Sequence, residues 1–364
     1  MVELRIPGPT PCPPEVLQAM SQQMINHRGS EFVRILNRVT NKLKQVFMTR
    51  NDLFVLTGSG TGGLEAAVVN TLSPGDKVLA VSIGAFGDRF ASIARAFGAD
   101  VVPMNVEWGK AADPDAIRQA LQADSKIKAV MVTHNETSTG VTNDLASLSS
   151  VVKGFDKLLL VDAISSLGSI NLPVDEWHLD VVLSGSQKGW MVPPGLVFAS
   201  ISPKGWKAHA SAKMPRSYWD FTQAKRYLEK GQTPWTPAVS MVFAMDITLD
   251  MMLREGLANI FSRHARVSKS ARSGIKSLGL SVFADEKHAS DTVTAVSAPE
   301  GLDVKELRRI LREEHKVVLA GGQGKLEGKI LRIGHLGWVN EDNIKTVISA
   351  LRIALPQAGL AKVK

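Results

Sequence analysis

Leu179-Asp-Val-Val-Leu-Ser-Gly-Ser-Gln-Lys-Gly-Trp-Met-Val-Pro-Pro-Gly-Leu196 is a hydrophobic strand that runs into a Ser/Gly turn, presents one lysine, and stops at Pro-Pro-Gly. Such a turn can hold Lys188 for imine chemistry. A lysine amine becomes a useful nucleophile when partial burial and rigid positioning keep it near a carbonyl and disfavour its ammonium form. A lone lysine in a turn is ordinarily a solvated one, so the neighbouring segments carry the argument.

Upstream, Lys157-Leu-Leu-Leu-Val-Asp-Ala163 reads as a short, continuously apolar strand ending in an acid, the pattern of a buried parallel strand that delivers a carboxylate at its tip. Asp162 and Lys188 therefore end consecutive predicted strands, and in open α/β sheets ligands collect beyond the carboxyl ends of the strands. A carboxylate there can keep a pyridine nitrogen protonated, as a pyridoxal phosphate ring requires of its partner. An N-cap on a following helix is the equally good alternative for Asp162.

A third segment, Leu53-Phe-Val-Leu-Thr-Gly-Ser-Gly-Thr-Gly-Gly-Leu-Glu65, is a strand followed by a glycine-rich turn that opens a helix, where backbone amides and hydroxyls form an anion site. Gly58, Gly60 and Gly63 satisfy the spacing of a dinucleotide fingerprint, so a nicotinamide enzyme is the competing reading. Against it, the next strand, Lys77-Val-Leu-Ala-Val-Ser-Ile83, lacks the acid expected at its end, and the hydroxyls of Thr57, Ser59 and Thr61 suit a monophosphate. No Gly-Lys-Ser/Thr follows, which excludes a lysine-containing phosphate loop.

Together these residues resemble the class V pyridoxal-phosphate-dependent aminotransferases, in the branch of alanine–glyoxylate and serine–glyoxylate (serine–pyruvate) aminotransferases. The resemblance runs from Pro7-Gly-Pro-Thr10 through Gly58-Ser-Gly-Thr61, Thr133-His-Asn-Glu-Thr-Ser-Thr-Gly140, Val161-Asp-Ala-Ile-Ser-Ser-Leu-Gly168 and Ser184-Gly-Ser-Gln-Lys-Gly189 to Leu331-Arg-Ile-Gly334. It implies an aspartate-aminotransferase-like α/β fold (fold type I) and pyridoxal 5'-phosphate as cofactor. Lys188 would link to the cofactor and move the substrate proton, and Asp162 would pair with the pyridine nitrogen. Ser59, Gly60 and Thr61, with Gln187, would bind the phosphate. Phe86 falls where the family stacks an aromatic ring, or else is an ordinary core phenylalanine. Thr137 or Ser138 would line the ring near its phenolic oxygen.

The resemblance also makes Arg332 the grip for the substrate carboxylate, a role that suits a planar bidentate donor; a surface arginine on an edge strand is the alternative. One arginine fits a monocarboxylic amino acid and a small keto acid. The loop Thr233-Pro-Trp-Thr-Pro-Ala-Val239 would reach across a homodimer interface, with Thr236 touching the partner's phosphate, or would simply connect domains. His134, Asn135 and Trp338 are candidates for the substrate pocket, and His27 and Arg28 either approach it or end a helix in solvent.

Short apolar runs near Leu53, Val78, Ala129, Leu158, Val181 and Val197 alternate with helical patterns such as Asp115–Leu121, predicting a mostly parallel sheet covered on both faces. A large cofactor domain is expected over 15–250, and a smaller α+β domain over 1–14 and 251–364 that carries Arg332. With 364 residues, 44% of them hydrophobic, the chain can bury a large core. No apolar run spans a bilayer and no signal-peptide pattern opens the chain. The single cysteine, Cys12, permits no internal disulfide, which suits a cytoplasmic enzyme and argues against a cysteine desulfurase. The ending Ala361-Lys-Val-Lys364 is not a peroxisomal Ser-Lys-Leu.

The net charge of +8 is spread among acids and comes with no nucleic-acid motif, and the eight histidines show no metal-ligand spacing. Neither nucleic acid nor a metal is expected, and the excess charge would help draw in anionic substrates. Besides a two-step amino-group exchange, a pyridoxal lyase or desulfurase on the same scaffold stays open. So does a noncatalytic subunit, since relatives in this branch are named as part of a soluble hydrogenase.

Overall fold

The computed structural model describes residues 2–360, so the ending read for a targeting signal lies outside the described residues. All six apolar runs are strands of one seven-stranded sheet, which crosses the molecule in the order Asp52–Gly58, Gly195–Ile201, Val181–Gly185, Leu158–Asp162, Ala129–Thr133, Lys77–Ser82, Asp100–Asn105. Only Gly195–Ile201 runs antiparallel to its neighbours. The central strands are buried along their whole length, as their unbroken Val/Leu composition requires of strands covered on both faces. The last strand, Asp100–Asn105, did not stand out in the sequence because its edge position leaves alternate stretches exposed and half-buried, with none of its residues fully buried, and its polarity mixed.

Helices cover both faces. Gly60–Thr71 lies on one face, and from Gly63 onward all its residues but Glu65 are buried. On the other face, Ser30–Phe47 and Val239–Glu255 pack on each other and on the sheet. Trp190, wholly buried there, stacks on Phe47 at 5.7 Å and meets Phe198 edge-on at 5.1 Å.

A second sheet of five strands has the order Glu3–Arg5, Val317–Gly321, Ile330–Gly334, Val293–Ser297, Ser281–Val282. The N-terminal strand thus adds parallel to a strand more than three hundred residues later. Arg332 occupies the middle strand, which corrects the edge-strand alternative: it pairs in register with Ala295 on one side and Ala320 on the other. Amphipathic helices back this sheet. Val304–Glu313, for example, buries Val304, Leu307, Ile310 and Leu311 at helical spacing and is capped by Asp303, whose carboxylate accepts from the amides of Lys305 and Glu306.

Candidate active site

Lys188 is held by its neighbours before any ligand is considered. The Ser186 hydroxyl donates to the Pro193 carbonyl at 2.7 Å and accepts from the Leu196 amide at 3.1 Å, closing the turn. The Trp190 indole donates to Ser184 at 2.7 Å. A Cβ on Gly189 would lie 2.4 Å from the Ser169 hydroxyl, so only glycine lets the turn pack there. The N-terminal segment straps the turn from outside: the Thr10 amide and hydroxyl donate to the carbonyls of Gln187 and Lys188 at 3.1 and 3.0 Å. The Lys188 ammonium in turn donates to the Pro7 carbonyl at 2.5 Å. Gly8, at φ +129°, passes so close that a Cβ would meet Lys188 Nζ at 2.7 Å.

Lys188, Asp162, Ser59, Gly60, Thr61, Phe86, Thr137 and Gln187 line one cleft beyond the strand ends, as does Asn135. Burial lowers the Lys188 ammonium to about 8, against the pull of Asp162. Burial likewise raises the Asp162 carboxyl to about 7. No helix begins at Asp162; its Oδ1 accepts from the Ile164 amide at 3.0 Å in a turn, so the capping alternative survives only as that local bond. Ser59 caps the helix Gly60–Thr71 with its hydroxyl toward the Gly62 amide at 3.4 Å. The amides of Gly60 and Thr61 open that helix and have no intrahelical acceptor.

The glycines of this turn serve packing as much as ligand approach. A Cβ on Gly58 or Gly62 would strike the Trp219 ring at 2.6 or 2.7 Å, and one on Gly63 would lie 2.4 Å from Val197 Cγ2. A Cβ on Gly60 would likewise lie 2.6 Å from Ile164 Cδ1, so close packing by itself accounts for the spaced glycines Gly58, Gly60 and Gly63 without a dinucleotide.

Several candidates lie elsewhere. Ser138 is fully buried with its hydroxyl turned to Glu136 and to the Ala85 amide, while Thr137 faces the cleft. His134 is buried edge-on to Trp177 at 6.2 Å, and burial lowers its imidazole to about 4. Trp338 stands 46% exposed in a separate groove with Cys12. Arg28 bonds Gln232 and the carbonyls of Thr233 and Pro234, pinning the loop rather than lining the cleft, and His27 is not among the lining residues either. Thr236 is exposed and borders a different depression with Tyr218, Trp219 and Trp235.

Arg332 is buried beside the cleft. Its Nε donates to the Gly321 carbonyl at 2.7 Å and Nη1 to the Thr137 carbonyl at 3.0 Å, which fixes the plane of the fork. Burial lowers it to about 10, so it stays cationic at neutral pH.

Glu136 escaped the sequence reading because an acid in a loop is ordinarily solvated. Here it is wholly buried and accepts from the Phe86 and Gly87 amides at 3.0 and 3.1 Å and from the Ser138 amide and hydroxyl at 3.0 and 2.6 Å. Phe86 and Gly87 open the helix Ala85–Ala96, whose own N-cap position, Gly84, has no side chain to cap with. Glu136 therefore caps that helix from another loop.

A pyridoxal phosphate fits this donor set. The buried Gln187 Oε1 has no partner among the described residues. An acid stands ready for a ring nitrogen, a half-buried phenyl for a ring face, and a helix start with hydroxyls for a phosphate. Among the described residues no cluster of His, Cys, Asp and Glu could hold a metal ion.

The sequence matches the family model described as "Aminotransferase class-V" over residues 4–332. The chain belongs to that family, whose members use pyridoxal phosphate. It is 46% identical to a protein of Anabaena cylindrica named "Soluble hydrogenase 42 kDa subunit", over 98% of this chain and 94% of that one. It is 37% identical to a serine–glyoxylate aminotransferase of Methylorubrum extorquens, over 98% and 92% of the two chains. The alanine–glyoxylate aminotransferase structure from Nostoc sp. superposes with a TM-score of 0.94 at 30% identity, covering 97% of this chain and 95% of that one.

Proposed function

We propose that this protein transfers an amino group from a small monocarboxylic amino acid, alanine or serine, to glyoxylate or pyruvate in two half-reactions. The convergence of Lys188 and Asp162 in one cleft, with Arg332 fixed beside it, carries the reading. When bound, pyridoxal phosphate supplies the electron sink. Asp162 would hold the proton on the ring nitrogen and Phe86 would cover one face of the ring. Lys188, with an ammonium near 8, is unprotonated often enough around neutral pH to take the proton from the substrate Cα and return it to the cofactor carbon. Arg332 would grip the substrate carboxylate with its remaining N–H groups.

The boundaries that suit this division of labour are a cofactor domain over 15–250 and a smaller domain over 1–14 and 251–364. The exposed position of Thr236, beside the exposed rings of Tyr218 and Trp235, suits a homodimer in which it reaches the partner's phosphate. A cytoplasmic enzyme of small-molecule substrates is the reading that the single cysteine suits; among the described residues no helix is long and apolar enough to cross a membrane. Cys12 lies in the separate groove, which disfavours a desulfurase.

The test is the visible absorbance of the cofactor-loaded protein on adding alanine or serine, then glyoxylate, together with the keto acid released. Loss of the band with one donor and its return with glyoxylate are expected. Lys188→Ala should lower transfer by about 10²–10⁴-fold. Unchanged turnover in that variant, or ammonia or sulfide released without transfer, would refute the reading.

A further inference from the structure

The charged residues that line the cleft are Asp162, Lys188 and Arg89, and only the first two have a part in the chemistry above. Arg89 stands on the helix Ala85–Ala96 three residues after Phe86, hence on the same face of that helix. Its guanidinium carbon lies 4.8 Å from the centre of the Phe86 ring. Its Nη1 donates to the Thr61 hydroxyl at 3.3 Å, which joins the stacking ring to the start of the helix Gly60–Thr71. Among the described residues it pairs with no carboxylate; its neighbour Asp88 accepts instead from Ser82 at 2.6 Å. An exposed, unpaired arginine held over a ligand cleft by a ring face and a hydroxyl is a charge waiting for an anion.

The anion can be identified by charge. A phosphate monoester carries about −1.5 to −2 at neutral pH. The helix start offers roughly +0.5. Ser59, Thr61 and Gln187 are neutral, and Lys188 and Asp162 are committed to the carbonyl carbon and the ring nitrogen. Accepting from Arg89 leaves the Thr61 hydroxyl hydrogen free to donate outward.

We propose that Arg89 is a phosphate-binding residue of this site: it offsets the charge of the cofactor's phosphate monoester while its other face fixes the Phe86 ring. This rests on the pyridoxal phosphate reading above. A planar fork suits both tasks, since it can donate two N–H groups to phosphate and stack at once.

The test compares apo wild type, Arg89→Gln and Arg89→Lys by titration with pyridoxal phosphate and with pyridoxal, which lacks the phosphate, reading tryptophan fluorescence and visible absorbance. Arg89→Gln should weaken pyridoxal phosphate by roughly ten- to a hundredfold and change pyridoxal less than about threefold. Its affinity should also depend less on salt, inorganic phosphate should compete less well with it, and Arg89→Lys should keep part of the affinity. Equal pyridoxal phosphate affinity in wild type and Arg89→Gln would overturn the proposal, with the cofactor reading intact. So would an equal loss for both ligands, which would confine Arg89 to positioning Phe86. Failure of wild type to bind either ligand would overturn the cofactor reading as well. Because Arg89 is exposed, melting temperatures of the three proteins should agree.

Discussion

Arg332 is committed at two of its three nitrogens before a substrate arrives, to the carbonyls of Gly321 and Thr137. The shape of the fork, rather than charge alone, is therefore expected to matter. Arg332→Lys keeps a cation but forfeits both anchors, so it should raise the KM for amino donor and keto acid almost as far as Arg332→Gln does. Loss of a charge-assisted bond of about 1.5–3 kcal/mol corresponds to roughly ten- to a hundredfold in kcat/KM. Steady-state kinetics with each substrate check this; a lysine variant close to wild type would mean that the bidentate geometry is idle. Arg332 was legible in the sequence only as a resemblance, because nothing local in Lys329-Ile-Leu-Arg-Ile-Gly334 says that its strand is the middle one of five.

Among elements, the cap that Glu136 places on the helix Ala85–Ala96 ties Phe86 to the loop that also anchors Arg332. All four groups bonded to this carboxylate are donors, so they hold it as an acceptor even though burial pushes its carboxyl upward. Glu136→Gln puts an amide NH₂ against N–H groups. It should cost about 1–3 kcal/mol of stability and loosen cofactor binding, seen as a lower Tm and a weaker circular dichroism signal from the bound cofactor. Equal Tm and signal would show that the cap is dispensable.

Gly63→Ala, by contrast, tests packing: its Cβ would press on Val197 and Leu183 where helix meets sheet. Overpacking of about 1–3 kcal/mol should lower Tm in apo and loaded protein alike. A Tm unchanged by that substitution would show that helix and sheet can separate without cost. The strand runs and the helix Pro114–Ala123 were readable from local apolar patterning alone. The edge strand Asp100–Asn105 and the N-terminal strand Glu3–Arg5 were not, since pairing partners rather than composition make them strands.

At the scale of the molecule, a buried polar cluster joins the two sheets. Asn135, from the loop after a strand of the large sheet, donates to Ser165 and Thr292 and accepts from Ser290 and Thr142. Nearby, His264 accepts from the Gly337 amide and His335 bonds Thr294. Burial lowers both imidazoles to about 3. The unfolded chain, with histidines near 6.5, then binds more protons than the folded one below that pH. The stability they contribute is complete above about 6.5 and is lost as pH falls toward 3, at about 1.4 kcal/mol per unit for each histidine. Asp162, whose folded value is raised, works in the opposite direction over part of that range. His264→Gln should therefore flatten the acid limb of a stability–pH curve by about one proton, measured by urea unfolding between pH 6.5 and 4. An unchanged slope would mean that His264 charges without cost in the folded state.

What the amino-acid sequence determined by itself was local and periodic. Short unbroken Val/Leu runs bounded by turn residues fit strands buried on both faces, hydroxyl- and glycine-rich turns after them suit anions, and Ser/Gly with Pro-Pro-Gly frames a lysine in a turn. Those patterns placed Lys188, Asp162 and Ser59–Thr61 at strand ends, and strand ends of a parallel sheet share one edge. Only the tertiary structure decided which groups are desolvated and what they face. It buried Glu136 as a cap, turned Ser138 and His134 away from the cleft, fixed Arg332 in a central strand, and set Arg89 over Phe86 beside Thr61. Burial and charge pairing depend on segments far apart in the chain, and no local pattern encodes the distance between them.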